Sequence, residues 1–253
     1  MTTTEPTIVT IPCFAGAPWT SRQLAPFGDR RVTTMRLPEG IDDIESYADF
    51  VASQVANLDS YVLVGDSFGA VIALTLAIRQ PKGLVGLVLS GGFAANPLPR
   101  WKRVAVRASR IAPGPAYRQG TLRFHAHQLA SPFDTDGENP LNTNDFRQIF
   151  LDNTPQRSYA ARVRSVLNFD VRHQLHRVNV PTLLLTPQTD TLVGNAAVAD
   201  LLAGIPDVRE MVLPRTGHMF RFTHPDLYGR TITAFIDATT ATLPSLGGGP
   251  VDR

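Results

Sequence analysis

The sequence predicts an α/β fold, a mainly parallel sheet with helices on both faces and a helical insertion ahead of its last two strands. Three observations carry this. Short strand-like runs rich in Val, Ile, Leu and Thr alternate with helical patterns in both halves of the chain, which implies crossover helices between parallel strands. Within one run, "YVLVGDSFGAVIALTLAIRQ", a buried strand passes into a buried helix with only a polar, glycine-flanked turn between them. Finally, residues 94–178 break the alternation over a stretch too long for a simple connection, so they are expected to form a subdomain of their own.

In chain order, "TIVTIP" (7–12) reads as a buried strand and "RRVTTMRL" (30–37) as a second, stopped by Pro38 and Gly40. Apolar Ile44, Tyr47, Val51 and Val55 follow at the spacing of one helix face, with Asp42 or Asp43 as its cap. "YVLVG" (61–65) is the third strand, 70–80 a helix ended by Pro81, and "LVGLVLS" (84–90) the fourth strand. Beyond the insertion come a strand at "PTLLLT" (181–186), a helix over 195–205, a strand at "REMVLP" (209–214) and a helix over 225–239. The expected division is a core of residues 1–93 and 179–240, an insertion over 94–178, and a disordered tail over 241–253 rich in glycine.

Composition narrows the function classes. A chain of 253 residues with 43% hydrophobic and 18% charged residues can bury a full core. A net charge of +2 does not imply nucleic acid. The single cysteine, Cys13, excludes an internal disulfide framework and a Cys-rich zinc site. "MTTTEPTIVTIPCFAG" lacks a basic region followed by a sustained apolar run, and the longest apolar stretch is interrupted by Gly, Asp and Ser. No signal peptide and no membrane span are therefore expected, and the expected location is the cytoplasm.

The turn "GDSFG" (65–69) has a physical use beyond reversing the chain. A serine placed between a strand and a helix with no intervening loop is forced into a strained backbone, and its hydroxyl projects from the sheet edge. Flanking glycines leave room where a Cβ would collide, and the helix N-terminus offers N–H groups to an anion. On these residues the chain resembles the α/β-hydrolase superfamily, over about Ile8 to Ile236, with the 94–178 insertion in the place of that family's helical cap.

The resemblance implies a serine nucleophile followed in the chain by an acid and then a histidine. The matching residues are Ser67, then Asp190 just beyond the strand in "TLLLTPQTD", then His218 just beyond the last strand in "MVLPRTGHMF". The loop after the fourth strand, "SGGFAAN", has no carboxylate for the family's other acid position. The family often carries His-Gly after its first strand; here Pro12-Cys13-Phe14-Ala15-Gly16 stands there. The implied oxyanion donors are the backbone N–H groups of Phe14 and Phe68.

The implied activity is hydrolysis of a carboxylic ester through an acyl-enzyme, with no cofactor and no metal. Alternatives within the same fold are a thioesterase acting on acyl-coenzyme A-like substrates, a C–C hydrolase or lyase, and a non-catalytic ligand-binding member. Cys13 reads as an inert thiol beside the site. The histidines of "FHAHQ" and "HQLH" lack the carboxylates and spacing of a metal site. Asp66 precedes the projected position, so an aspartate nucleophile is disfavoured. The insertion holds 13 Lys/Arg against 6 Asp/Glu, net +7, leaving −5 for the remainder. Arg100, Arg103, Arg107 and Arg110 share one helical stripe there, readable as a solvated face or as a clamp for an acidic small-molecule acyl substrate.

Overall fold

The computed structural model describes residues 5–98, 103 and 115–242. Its first half runs β1 (Thr7–Ile11), α1 (Ser21–Leu24), β2 (Val32–Thr34), α2 (Ile44–Val55), β3 (Tyr61–Asp66), α3 (Phe68–Ile78) and β4 (Leu84–Ser90). The segment after β4 contributes α4 (Pro115–Leu129), α5 (Thr143–Asn153) and α6 (Gln156–Val166). The chain then returns through β5 (Thr182–Pro187), α7 (Gly194–Gly204), β6 (Val208–Leu213), α8 (Phe220–Thr223) and α9 (Pro225–Thr242). The six strands pair in parallel in the order β2-β1-β3-β4-β5-β6.

Strand alternation divides the interior into two layers. Val9, Ile11, Leu63, Leu87, Leu89 and Leu184 face α2 and α3, where Tyr47, Val51 and Val71 complete the packing. Ile8, Val62, Val64, Val88, Leu183 and Leu185 face the other way, onto Trp19, Phe220 and the Tyr228, Ile232 and Ile236 stripe of α9. All eleven residues of α3 are buried, which explains a helix with no polar face. Asp43 caps α2, its carboxylate accepting from the Ser46 N–H at 2.7 Å.

Three elements differ from the sequence reading by more than one residue. The strand expected over 30–37 shrinks to Val32–Thr34, an edge strand that pairs only with β1. Helix α3 begins at Phe68, two residues early, because one residue suffices for the turn. The last helix extends to Thr242, into the expected tail, whose remaining residues lie outside the described ones. So do Arg100, Arg107 and Arg110 of the basic stripe.

The segment between β4 and β5 packs against the sheet's C-terminal edge. Its buried Leu122, Ala126, Leu129, Phe146 and Phe150 share one apolar cluster with Cys13, Ala15 and Met219. Helix α5 starts with a reciprocal cap, Asn142 accepting from Asn144 and Asp145 N–H while Asp145 accepts from Asn142 N–H.

Candidate active site

Ser67 alone makes the turn between β3 and α3, at φ 54° and ψ −112°. A non-glycine residue held there costs about 1–3 kcal/mol, so the surroundings must fix it. The Ser67 N–H donates to the Ser90 carbonyl at 2.7 Å, and its own carbonyl accepts from the Ala70 N–H at 2.9 Å. The flanking glycines answer to space. A Cβ on Gly65 would lie 2.5 Å from the Gly69 carbonyl oxygen, and one on Gly69 would lie 2.3 Å from that of Ile11. The turn is thus wedged between its own helix and β1.

The loops after β5 and β6 bring Asp190 and His218 to the same sheet edge. His218 Nε2 lies 2.9 Å from Ser67 Oγ, and its Nδ1 lies 2.7 Å from Asp190 Oδ2. The other Asp190 oxygen accepts from the Leu192 and Val193 N–H groups at 3.0 and 2.9 Å. With a carboxylate on Nδ1, that nitrogen carries the proton and Nε2 is left to accept from the serine hydroxyl. Burial alone would lower the His218 pKa, but the charge and hydrogen bond of Asp190, with Asp66 and Asp134 behind, raise it above the ordinary imidazole value. Burial would raise Asp190; His218 and the two N–H groups hold it below the usual carboxylate range.

The loop after β4 takes part by staying out of the way. A Cβ on Gly91 would come within 3.0 Å of the imidazole Cε1. In the loop that supplies no rival acid, Gly91 therefore leaves room for the His218 ring, while Gly92 packs against Ala70.

Phe14 and Phe68 meet edge to face, ring centroids 5.5 Å apart. Phe68 is the first residue of α3, so its N–H has no intrahelical acceptor. The loop bearing Phe14 is tied down by residues that the sequence reading did not single out. Arg162 of α6, 1% exposed, donates from Nη1 to the Phe14 carbonyl at 2.8 Å. The Thr154 hydroxyl donates to the Ala15 carbonyl at 3.0 Å, and the Leu37 N–H to that of Gly16 at 2.9 Å. Gly16, at φ 76°, makes room for the Arg162 guanidinium, which a Cβ would strike at 2.4 Å.

A second buried arginine joins three parts of the site. Arg221 of α8 donates from Nε to Asp66 Oδ2 at 2.6 Å, from Nη1 to Gln23 Oε1 at 2.8 Å, and from Nη2 to Cys13 Sγ at 3.4 Å. Its guanidinium lies over the rings of Trp19 and Phe222, 4.8 and 4.0 Å from their centroids. Asp66, which sequence reasoning only set aside as a nucleophile, is this cation's partner. Cys13 is buried and free; burial pushes its thiol up, against the lowering influence of Arg221.

Asp134, in the loop after α4, is the remaining buried acid near His218. Its Oδ2 accepts from the Ser131 N–H, and its Oδ1 lies 3.2 Å from where a Gly217 Cβ would stand. Burial pushes its carboxyl up to about 6, against the Ser131 N–H and His218.

In front of Ser67 lies a small cavity of about 240 Å³ including its open side, walled by Cys13, Phe14, Leu129, Phe150 and Met219. A second cavity, about 380 Å³ with its open side included, lies behind Asp190, between β5 and α7, and Ser67 is not among its lining residues. Among the described residues no three His, Cys, Asp or Glu side chains group as metal ligands, and no helix is long and apolar enough to cross a membrane. Of the basic stripe, Arg103 turns back on its own segment, donating to the Leu98 and Asn96 carbonyls.

The model of the alpha/beta hydrolase family matches residues 8–230. The chain belongs to that family. Among curated relatives, RutD of Escherichia coli O26:H11, provisionally named a carbamate hydrolase, is 23% identical over 178 residues. That match covers 68% of this chain and 64% of the relative's length. Among solved structures, a hydrolase from Pseudomonas aeruginosa PA01 superposes with a TM-score of 0.76 at 18% identity, covering 92% of this chain and 91% of the other. A thermophilic esterase from Thermogutta terrifontis gives 0.75 at 20%, covering 92% and 90%. At these identities the superpositions establish the alpha/beta hydrolase fold alone.

Proposed function

We propose that this alpha/beta hydrolase is a serine hydrolase that cleaves a carboxylic ester of a small molecule through an acyl-enzyme. The observation that carries the reading is the chain of two short contacts, Ser67 Oγ to His218 Nε2 at 2.9 Å and His218 Nδ1 to Asp190 at 2.7 Å.

Each step follows from those groups. A serine hydroxyl is a weak nucleophile until a base takes its proton as attack begins. His218 Nε2 stands at hydrogen-bond distance to do so, and Asp190 stabilises the imidazolium that results. Ser67 Oγ bonds to the ester carbon and the carbonyl π electrons move onto oxygen. The N–H groups of Phe14 and Phe68 are the proposed donors to that oxyanion, each worth about 3 kcal/mol in the transition state. Collapse expels the alkoxide, which takes the proton from His218. Water then repeats the sequence, with His218 as base, and the acid leaves. The segment over 94–178 acts as the cap that walls the acyl cavity.

Rapid, stoichiometric labelling of Ser67 by an active-serine phosphonate is expected, and its absence would overturn the reading. Ser67→Ala, His218→Ala and Asp190→Asn should each lower turnover by on the order of 10⁴-fold or more, with thermal unfolding largely unchanged, since the three act as one unit. A panel of p-nitrophenyl ester, acyl thioester and carbamate then ranks the bond cleaved; a thioester or carbamate preferred over every ester would overturn the ester assignment alone.

A further inference from the structure

Of the polar side chains lining the cavity before Ser67, Asp66 is paired with Arg221, and His125 is left unused by the proposed chemistry. His125 of α4 lines the same space as Ser67 and His218. Its ring is fixed from three directions. It stacks on Phe150, centroids 4.9 Å apart and 28° between planes, and meets Phe14 edge on at 5.4 Å. Its Nδ1 lies 3.2 Å from the Tyr159 hydroxyl of α6. Nε2 has no protein partner among the described residues, and the ring lines the cavity.

We infer that His125 Nε2, oriented by Tyr159, is the hydrogen-bond partner of an uncharged polar group on the substrate, close to the carbonyl that Ser67 attacks. The inference rests on the hydrolase reading and adds the class of group recognised. A phenylalanine would fill a similar space among these aromatic rings. The imidazole instead brings a polar atom against the Phe14 and Phe150 walls, where leaving it unpaired is costly once a ligand displaces water.

The neutrality of the group follows from what surrounds it. No Lys or Arg side chain lines the cavity among the described residues, and the nearby Arg221 guanidinium is already paired with Asp66. Burial lowers the His125 pKa to about 4, with the His218 charge acting the same way, so the ring offers a hydrogen bond without a charge. A carboxylate there would be a buried ion without a counter-ion. A hydroxyl, amide or second carbonyl would be satisfied. If the Tyr159 hydroxyl donates to Nδ1, Nε2 carries the hydrogen and serves a carbonyl; if it accepts from Nδ1, Nε2 accepts from a hydroxyl or amide N–H. A hydroxyl on the ligand suits both.

The probes are p-nitrophenyl butyrate and its 2-hydroxy and 3-hydroxy analogues, compared by kcat/KM. The native chain should prefer one hydroxy ester by about tenfold or more, the discrimination that an otherwise unpaired buried polar group produces. His125→Phe should collapse that ratio towards one. Tyr159→Phe, which leaves the imidazole without its orienting hydroxyl, should reduce it and provides a second route should the first variant fold poorly. A native ratio near one, or a ratio unmoved in both variants, would overturn the assignment of His125. Phosphonate labelling runs in parallel. A labelled Ser67 with an unmoved ratio removes only His125, whereas an unlabelled Ser67 removes the hydrolase reading beneath it.

Discussion

His218 sits between opposing influences, and its titration is where they can be measured. Burial favours the neutral ring, while Asp190, Asp66 and Asp134 favour the imidazolium and prevail. The proposed base works only when neutral, so kcat/KM should fall on the acid side with a pKa above the ordinary value of about 6.5. Asp190→Asn should move that limb to lower pH, because the carboxylate that favours the proton is gone; a stationary limb would detach Asp190 from His218. Asp134→Asn should move it the same way by less. It should also change stability with a definite sign. The folded Asp134 carboxyl titrates at about 6, above an unfolded value of about 3.9. Its favourable contribution is full at low pH and lost as pH rises through that window. The advantage of the variant over the native chain in Tm should therefore grow between about pH 4 and pH 6 and stay level above that, and an advantage confined to acid pH would contradict the assignment.

Among the elements, the short helix α8 has an influence out of proportion to its four residues. Through Arg221 it reaches the residue before Ser67, the residue before Phe14, and Gln23 of α1. Arg221→Met would leave the Asp66 carboxylate buried without its cation, a change expected to cost about 3–5 kcal/mol. Asp66→Asn combined with Arg221→Met should be less damaging than Arg221→Met alone, as a double-mutant cycle in urea would show; simple additivity would mean that the pair is not coupled. Sequence reasoning could not find this link. Asp66 and Arg221 are 155 positions apart, and each stands in a run whose local pattern says only turn or helix. What was legible was local. The run "GDSFG" had to be a tight turn because strand and helix patterns abut it, and Ile44, Tyr47, Val51 and Val55 had to share a face because of their spacing. Ser67, Asp190 and His218 could be selected because the resemblance supplies the order and the strand ends to look at, and the parallel topology brings those ends to one sheet edge. His125 and Tyr159 could not: the sequence reading weighs His125 in "FHAHQ" only as a metal ligand, and its meeting with Tyr159 depends on how α4 and α6 pack.

Taken as a whole, the molecule is a sheet whose two faces are sealed by helices and whose C-terminal edge is covered by the segment between β4 and β5. The layers were legible because alternating strands and helices leave few other arrangements; the contacts of the covering segment were not, because nothing in its sequence says which side chains turn towards the sheet. Those contacts bear on exchanging parts between relatives. Helix α6 and the turn before it hold the Phe14 and Ala15 carbonyls through Arg162 and Thr154, and Cys13, Ala15 and Met219 pack in one apolar cluster with residues of α4 and α5. A graft that replaced residues 94–178 with another protein's equivalent would therefore not simply give the chain a new taste in substrates. It would also remove two struts from beneath the proposed oxyanion donor, so a transplant meant to alter selectivity would have to import an Arg162 and a Thr154, or bring its own first loop with it.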